Sequence, residues 1–261
     1  MTARAIWKGV IRFGGVFVPV KLYSAVMDNK VHFRLLHARD RTPVEQRMVD
    51  PRTGRPVPKD QIRRGLETDT GEMVMITDEE LERIVPEASR DIEITRFVDQ
   101  DRINYQYYDR PYFLGPDGGE ENYFSLAEAL EKEKKKGVAR WTMRKKRYVG
   151  ALSARSGYLE LFTFRHAGEV IDTTTISRPR GRILEPMELR MAEQLVGALA
   201  ADFNPSAYRD EYRQRVMDLI STKARGDVYV FEKEKKRRPK PASLVTTLEQ
   251  SLNRVRKEKI A

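Results

Sequence analysis

Polar and apolar residues alternate from position 5 to position 23, with Ile6, Val10, Val16, Val18 and Val20 marking one face. A period of two predicts strands with one covered face, and the "FGG" at 13–15 divides the run into a hairpin. Pro19 cannot donate to a ladder, so the second strand is expected at an edge or beside a bulge. Strand patterns return in "MVMI" (73–76), "DIEITRFV" (91–98), "YYDRPYFLG" (107–115) and the meander "VARWTMRKKRYVGALSARSGYLELFTFR" (138–165). Many short strands with turn signals between them predict a sandwich or a barrel.

Helical spacing is confined to fewer segments. "TDEELERIVP" carries a capping box, Thr77 at the N-cap and Glu80 three residues on, and stops at Pro86. "SLAEALEKEKKKG" repeats the relation with Ser125 and Glu128, and Gly137 closes it. Its Lys132, Lys134, Lys135 and Lys136 then fall in or near the last turn, where cations favour the helix dipole. The "GPDGGEE" before it (115–121) reads as a turn.

The C-terminal third differs in kind. "EPMELRMAEQLVGALAADF" opens with Pro186 at the first helical position, and Leu189, Ala192, Leu195, Leu199 and Phe203 form an apolar stripe. Asn204-Pro205 breaks it and caps a second helix, in which Tyr208, Tyr212, Val216 and Leu219 recur. The pair is too short to make its own core, so it must pack on the barrel, on another subunit, or on both. "DVYVFE" (227–232) is strand-like, and "KKRRPKP" reads as disordered by composition. In "SLVTTLEQSL", Leu244, Leu248 and Leu252 stand at i, i+4 and i+8, a one-faced helix too short to be stable alone.

Residues 37–66 interrupt the strand pattern with four prolines, many arginines and almost no apolar periodicity. The segment leaves from a strand-like "VHFRLL" and returns to another strand, so it reads as an excursion from the barrel. As two extended arms of about 15 residues it can project roughly 50 Å, enough to clear a DNA duplex.

Charge sharpens that reading. The net charge of +10 conceals a segregation: residues 30–66 hold ten basic and four acidic side chains, 132–147 nine and one, and 232–261 ten and four. These segments carry +20 together, so the rest of the chain carries −10. A protein merely keeping itself soluble intersperses its signs; a basic surface on an acidic body points to nucleic acid.

Other chemistries find little support. There are no cysteines, hence no disulfide framework and no thiolate metal site. His32, His37 and His166 have no metal-binding spacing, and neither a Walker A sequence, a GxGxxG fingerprint nor a GxSxG elbow occurs. Paired carboxylates such as Asp99/Asp101 and Glu79/Glu80 lack the context of a two-metal nuclease. No catalytic residues, metal or cofactor are therefore expected, and the chain reads as a binding protein and not an enzyme. The N-terminus carries Arg4, Lys8 and Arg12 inside its alternation, unlike a signal peptide, and no run approaches a membrane span, so a cytoplasmic, nucleoid-associated location is expected. Trp141 and Tyr148 suit barrel packing better than base stacking, which favours backbone contact to duplex DNA over single-strand binding. The alternative is a single-stranded nucleic-acid-binding barrel acting as a chaperone.

"RAIWKGVIRFGGVFVPVKLYSA", "VHFRLLHARD", "MVMITDEELERI", "DRPYFLGPD" and "ADFNPSAYRDEYRQRVMDLISTKARG" closely resemble the prokaryotic Ku family, in order and over about residues 3–226. "SLVTTLEQSL" is similar to a short segment near the end of many bacterial members. The resemblance implies a mainly β fold with some α: a SPOC-like β-barrel core over 1–185 with a DNA-encircling arch inserted at 30–76. It further implies a helical arm at 186–226 for dimer contacts and a basic, largely flexible tail at 227–261. It implies a homodimeric ring that threads onto double-stranded DNA ends in non-homologous end joining and recruits the ATP-dependent DNA ligase D. No von Willebrand-like domain is expected before the barrel. Many relatives carry one or two cysteines in the arch; here the stretch is "RMVDPRTGRPV", so any zinc or redox role of those cysteines is not available.

Carried onto this chain, the DNA surface falls on Arg34, Arg39, Arg41, Arg47, Arg52, Arg55, Lys59, Arg63 and Arg64 of the arch, and on Arg140, Arg144, Lys145, Lys146 and Arg147 of the meander. About half should touch phosphate, since side chains alternate along a strand. Dimer and arm packing is assigned to Leu189, Leu195, Leu199, Phe203, Tyr208, Tyr212, Val216 and Leu219, and ligase recruitment to Leu244, Leu248 and Leu252.

Overall fold

Gly14 and Gly15 take φ of +48° and +85°, so β1 (Trp7–Phe13) turns into β2 (Val16–Ser24) through a two-residue hairpin. That hairpin seeds the larger architecture. The structure is a computed structural model and describes residues 4–177, 181, 183, 185–229 and 244–258. The chain forms two compact units, residues 1–29 with 34–175 and residues 30–33 with 176–261.

In the first unit, β5 (Asp91–Asp99), β6 (Tyr108–Pro116), β7 (Lys135–Met143), β8 (Lys146–Arg155) and β9 (Tyr158–Phe164) close with the hairpin into a seven-stranded barrel, in the order β1-β2-β6-β9-β8-β7-β5. Every pairing is antiparallel except β1 with β5, which closes the barrel. β3 (Arg64–Glu67) and β4 (Met73–Ile76) pair separately as a ribbon. The short α1 (Asp78–Arg83) follows with the expected capping box, Thr77 bonded to the Glu80 amide and the Glu80 carboxylate to the Thr77 amide.

Register decides which residues fill the barrel. The hairpin pairs Ile11 with Val18 and Gly9 with Val20, so Ile11, Val18, Val20 and Leu22 share the fully buried face. Val10 lies on the opposite face of β1, and Ile6 is exposed just before the strand, so neither joins the β2 valines as the alternation suggested. The two-residue turn sets which positions stand opposite each other, and a shift of one reverses every side chain. Pro19 is not on an edge strand. It lies where β2 pairs with β1 alone, because pairing with β6 begins at Val20, and its carbonyl accepts from the Asp117 amide at 3.0 Å.

α2 (Glu120–Lys132) covers one side of the barrel. It begins before the expected Ser125, which is an exposed residue inside the helix; the N-cap is Gly119, at φ +63°. "GPDGGEE" thus holds a turn and the acidic first turn of a helix, a favourable placement for Glu120 and Glu121 against the dipole. Gly137 does not close the helix but sits in β7, and of the four lysines only Lys132 is helical. Lys135 pairs with Asp99 at 2.6 Å, and Lys136 donates to the Tyr108 hydroxyl at 2.9 Å while lying over its ring.

α2 is clamped to the barrel by Tyr123, whose side chain is almost fully buried. Its hydroxyl donates to the Leu114 carbonyl at 2.5 Å and accepts from the Leu159 amide at 2.9 Å, and burial pushes the phenol pKa up. Tyr123→Phe leaves a buried amide and a buried carbonyl short of partners, a cost of about 1–3 kcal/mol. The expected result is a melting temperature lower by roughly 2–10 °C with no change in nucleic-acid binding, read by thermal unfolding.

The second unit contains α3 (Pro186–Leu199), α4 (Glu211–Ala224) and α5 (Leu244–Glu258). Phe203 and Tyr208 lie outside the helices assigned to them, between α3 and α4. Asn204 caps only the 3-10 turn at 205–207, and α4 takes its cap from Asp210, whose carboxylate accepts from the Arg213 amide. Residues 227–229 form no strand, and the rest of "DVYVFE" and "KKRRPKP" lies outside the described residues. α5 runs to Glu258, beyond the short helix expected, and packs on α3.

Candidate nucleic-acid interface

Three two-residue hairpin turns join barrel strands, and they differ in one respect. Gly14-Gly15 and Ser156-Gly157 contain glycine; the turn between β7 and β8 is Arg144-Lys145, at φ +51° and +63°. Both residues of such a turn must be left-handed, and the steric cost for a residue with a Cβ is roughly 1–2 kcal/mol. Four of the five non-glycine residues with positive φ among the described residues are basic: Arg41, Lys134, Arg144 and Lys145. Backbone strain concentrates where a side chain is needed in place, so the basic corner is placed at some expense in stability.

Strand parity divides the corner. Ala139, Trp141 and Met143 of β7 point into the barrel, with Tyr148 of β8 stacked on Trp141 at 5.5 Å. Arg140 and Arg147 therefore face outward, Arg147 directly opposite Thr142. Lys146 lies over the Tyr148 ring, 5.4 Å from its centroid, on the rim of the barrel. Lys145 reaches Glu82 of α1 at 3.2 Å, while Arg144 and Arg147 make no ion pair among the described residues. Trp141 is buried, so it offers no platform for an unstacked base.

Arg140 and Arg147 line a concavity of about 780 Å³ beside the β1-β2 turn, together with Arg12, Phe13, Phe17, Asp91, Glu93 and Trp141. Arg12 belongs to this basic face, and the sequence reading missed it. The signal was available: Arg12 stands next to buried Ile11 on β1, and the parallel register places it beside Glu93, the neighbour of Arg140 on β5. Asp91 holds Arg12 at 2.7 Å, and Glu93 approaches Arg140 at 3.7 Å. Such exposed pairs contribute little to stability but orient the guanidinium groups.

The arch is more ordered than its composition suggests. "VHFRLL" forms a single bridge, Leu36 with Pro43, instead of a strand, and a second bridge joins Val49 to Pro56. Within the first loop the Asp40 carboxylate accepts from the Thr42 amide and hydroxyl and from His37, and these bonds hold its pKa below the ordinary range. Within the second, Asp50 accepts from the Arg52 amide and its own amide donates to the Arg55 carbonyl. Side-chain carboxylates and short backbone ladders replace a hydrophobic core here.

All the arch cations are exposed. Arg47, Lys59, Arg63 and Arg64 line a second concavity of about 1130 Å³, with Glu45, Asp78 and Glu79 among its other walls. Arg47 and Arg64 have carboxylate neighbours at 3.7 and 3.5 Å, and Arg63 donates to the Asp60 and Ile62 carbonyls. Arg34, Arg39, Arg41, Arg52 and Arg55 do not join this group. Arg52 approaches Asp50 at 3.8 Å, and the other four have no ion-pair partner among the described residues. No cluster of histidine and carboxylate groups able to hold a metal occurs among the described residues.

In the second unit, Leu189, Leu199, Phe203, Tyr208 and Tyr212 are exposed, Phe203 and Tyr208 stacked on each other at 5.7 Å. Leu195 and Leu219 are half-buried and Val216 is buried. Leu252 is buried and Leu248 half-buried; the side chain of Leu244 lies outside the described residues. No helix among the described residues is long and apolar enough to cross a membrane.

Barrel and basic surface together define a class: a β-barrel protein with a separate basic face and a basic excursion, suited to a polyanion. Residues 12–185 match the family described as Ku, the Ku70/Ku80 beta-barrel domain. The chain is similar to the non-homologous end joining protein Ku 1 of Geotalea uraniireducens, 37% identical over 99% of this chain and 100% of that protein. It is also similar to the non-homologous end joining proteins Ku of Coxiella burnetii, 36% identical over 90% of this chain and 88% of that one, and of Mycobacterium tuberculosis, 35% over 85% and 84%. The chain belongs to the Ku family of non-homologous end joining proteins, which are DNA-repair proteins and not enzymes.

Proposed function

We propose that the chain binds double-stranded DNA ends without sequence preference, as a ring-shaped homodimer that threads onto the end and recruits an ATP-dependent DNA ligase. Phosphate contacts by arginine and lysine position a duplex but read no base, which is what an end-joining protein requires. The observation that carries the reading is the Arg144-Lys145 turn: two cations held in a left-handed conformation that the other two hairpins reserve for glycine-containing pairs. The arch supplies the second group of exposed cations. The exposed apolar residues between and along α3 and α4 offer a self-complementary surface for a two-fold contact. A cytoplasmic, nucleoid-associated location follows from the same reading.

The turn can be tested against its own cost. Arg144→Asn/Lys145→Gly installs the sequence this turn type prefers and removes both charges. The double variant should melt higher by roughly 2–4 °C, as about 1 kcal/mol of strain is relieved. Its DNA affinity should fall, and the slope of log affinity against log salt should flatten by about one for each phosphate that is no longer neutralised. An unchanged affinity and slope would make the corner a solvated edge, whatever happens to stability.

A further inference from the structure

α5 comes from a segment whose sequence promises no stable helix by itself, yet in the structure it has a defined partner. It packs on α3 within the second unit. Its covered residues recur on one face: Val245, Leu248 and Ser251 are half-buried and Leu252 is buried. The partner surface on α3 is equally one-sided. Glu188 is buried, and Met191, Ala192, Leu195 and Ala198 are half-buried, while Met187, Val196 and Leu199 remain exposed. Met187 and Val196 stand at the two edges of this covered face, and Leu199 at its C-terminal end. The Glu188 carboxylate lies within the covered face itself, and it accepts from the Glu185 amide at 3.0 Å.

We infer that α3 holds α5 in cis, so that a partner protein engages the tail only by displacing it, through an apolar helical surface like that of α3. The inference rests on the reading that the tail recruits the ligase. Leu248 and Leu252, which that reading needs exposed, are the residues covered by the contact. Being on one chain, α3 and α5 meet at an effective concentration on the order of millimolar, so even a weak contact is substantially occupied. The apparent affinity of any competitor is then reduced in proportion to the docked fraction. A 15-residue helix docked chiefly on α3 is also at the low end of local stability, which keeps release accessible.

The test uses the full chain and two variants, one on each side of the contact: Ala192→Glu on α3 and Ser251→Glu on α5. Amide exchange over 244–258, followed by mass spectrometry, should show protection in the wild type and near-intrinsic exchange in both variants. Sizing chromatography verifies that each variant retains the oligomeric state of the wild type. Binding of the purified ligase to the Ala192→Glu variant should tighten severalfold, since α5 itself is untouched. Exchange at intrinsic rates in the wild type would overturn the docking. Protection that is released by the substitutions without any gain in ligase affinity would overturn the competition. If the ligase binds none of the three proteins, the recruitment reading fails, while the exchange data still decide whether α5 is held by α3.

Discussion

At moderate salt a linear duplex should capture the protein, and a covalently closed circle of the same sequence should bind it at least about tenfold more weakly, because non-specific binding to phosphates alone is weak at physiological salt. Contacts made by outward-facing arginines are available on any duplex. A closed path around the DNA adds a condition that only a free end can satisfy. Cutting the circle once should restore binding fully, and blocking both ends of the linear fragment with a bulky group should abolish it. The salt dependence adds a second reading. If the linear complex neutralises about six to ten phosphates, its slope should be near −5 to −9, and residual binding to the circle should be shallower. Equal affinity and equal slope for both forms would sink the ring and leave a barrel that binds DNA from outside. The competing single-strand reading predicts tighter binding of short single strands than of duplex, and the burial of Trp141 against Tyr148 argues against it.

Gly150→Ala should severely destabilise the barrel. A Cβ at this position would lie 1.9 Å from the Phe162 carbonyl oxygen and 2.8 Å from the Trp141 ring. The obstacle is backbone on the adjacent strand, and β8 is tied to β9 on both sides of the contact, through Gly150 with Thr163 and Ala151 with Phe162. Neither strand can retreat without breaking ladder bonds. A loss of about 4 kcal/mol or more is expected, a large part of the 5–15 kcal/mol typical of a folded domain. The variant should be insoluble or melt lower by at least roughly 8 °C. Gly168→Ala is the matched control, because a Cβ there meets nothing within 4 Å. It should remain within about 0.5 kcal/mol of the parent. A Gly150→Ala protein that melts with the control would mean that β8 and β9 are not packed as described.

The short strands were legible because alternation and turn chemistry are local: the hairpin at 13–15 follows from a period of two and a glycine turn, and the meander after residue 138 from its period of two. α1 was equally legible, since its capping box lies within four residues. α2 was misplaced because two capping patterns compete. Ser125 with Glu128 satisfies the local rule, but Tyr123 is needed at the barrel surface, bonded to Leu114 and Leu159, and that contact extends the helix back to Gly119. The faces of β1 were misread for a related reason. Alternation alone does not say which phase points inward; the pairing of Ile11 with Val18 does.

The candidate surface shows the same division. Clustering of charge along the chain identified the arch and the corner, and the family resemblance agreed. Arg12 escaped because it stands alone in sequence and joins Arg140 and Arg147 only once β1, β5, β7 and β8 lie side by side.

By itself the sequence determined the β class of the fold, the segregation of its basic segments and the family, because each is written in local periodicity, composition and ordered motifs. Only the tertiary structure decided which cations face outward, that the corner turn is left-handed at both residues, and that α5 rests on α3. Those outcomes depend on register and on contacts between residues far apart in the chain, and no local pattern encodes which of two strand faces, or which of two helix faces, finds a partner.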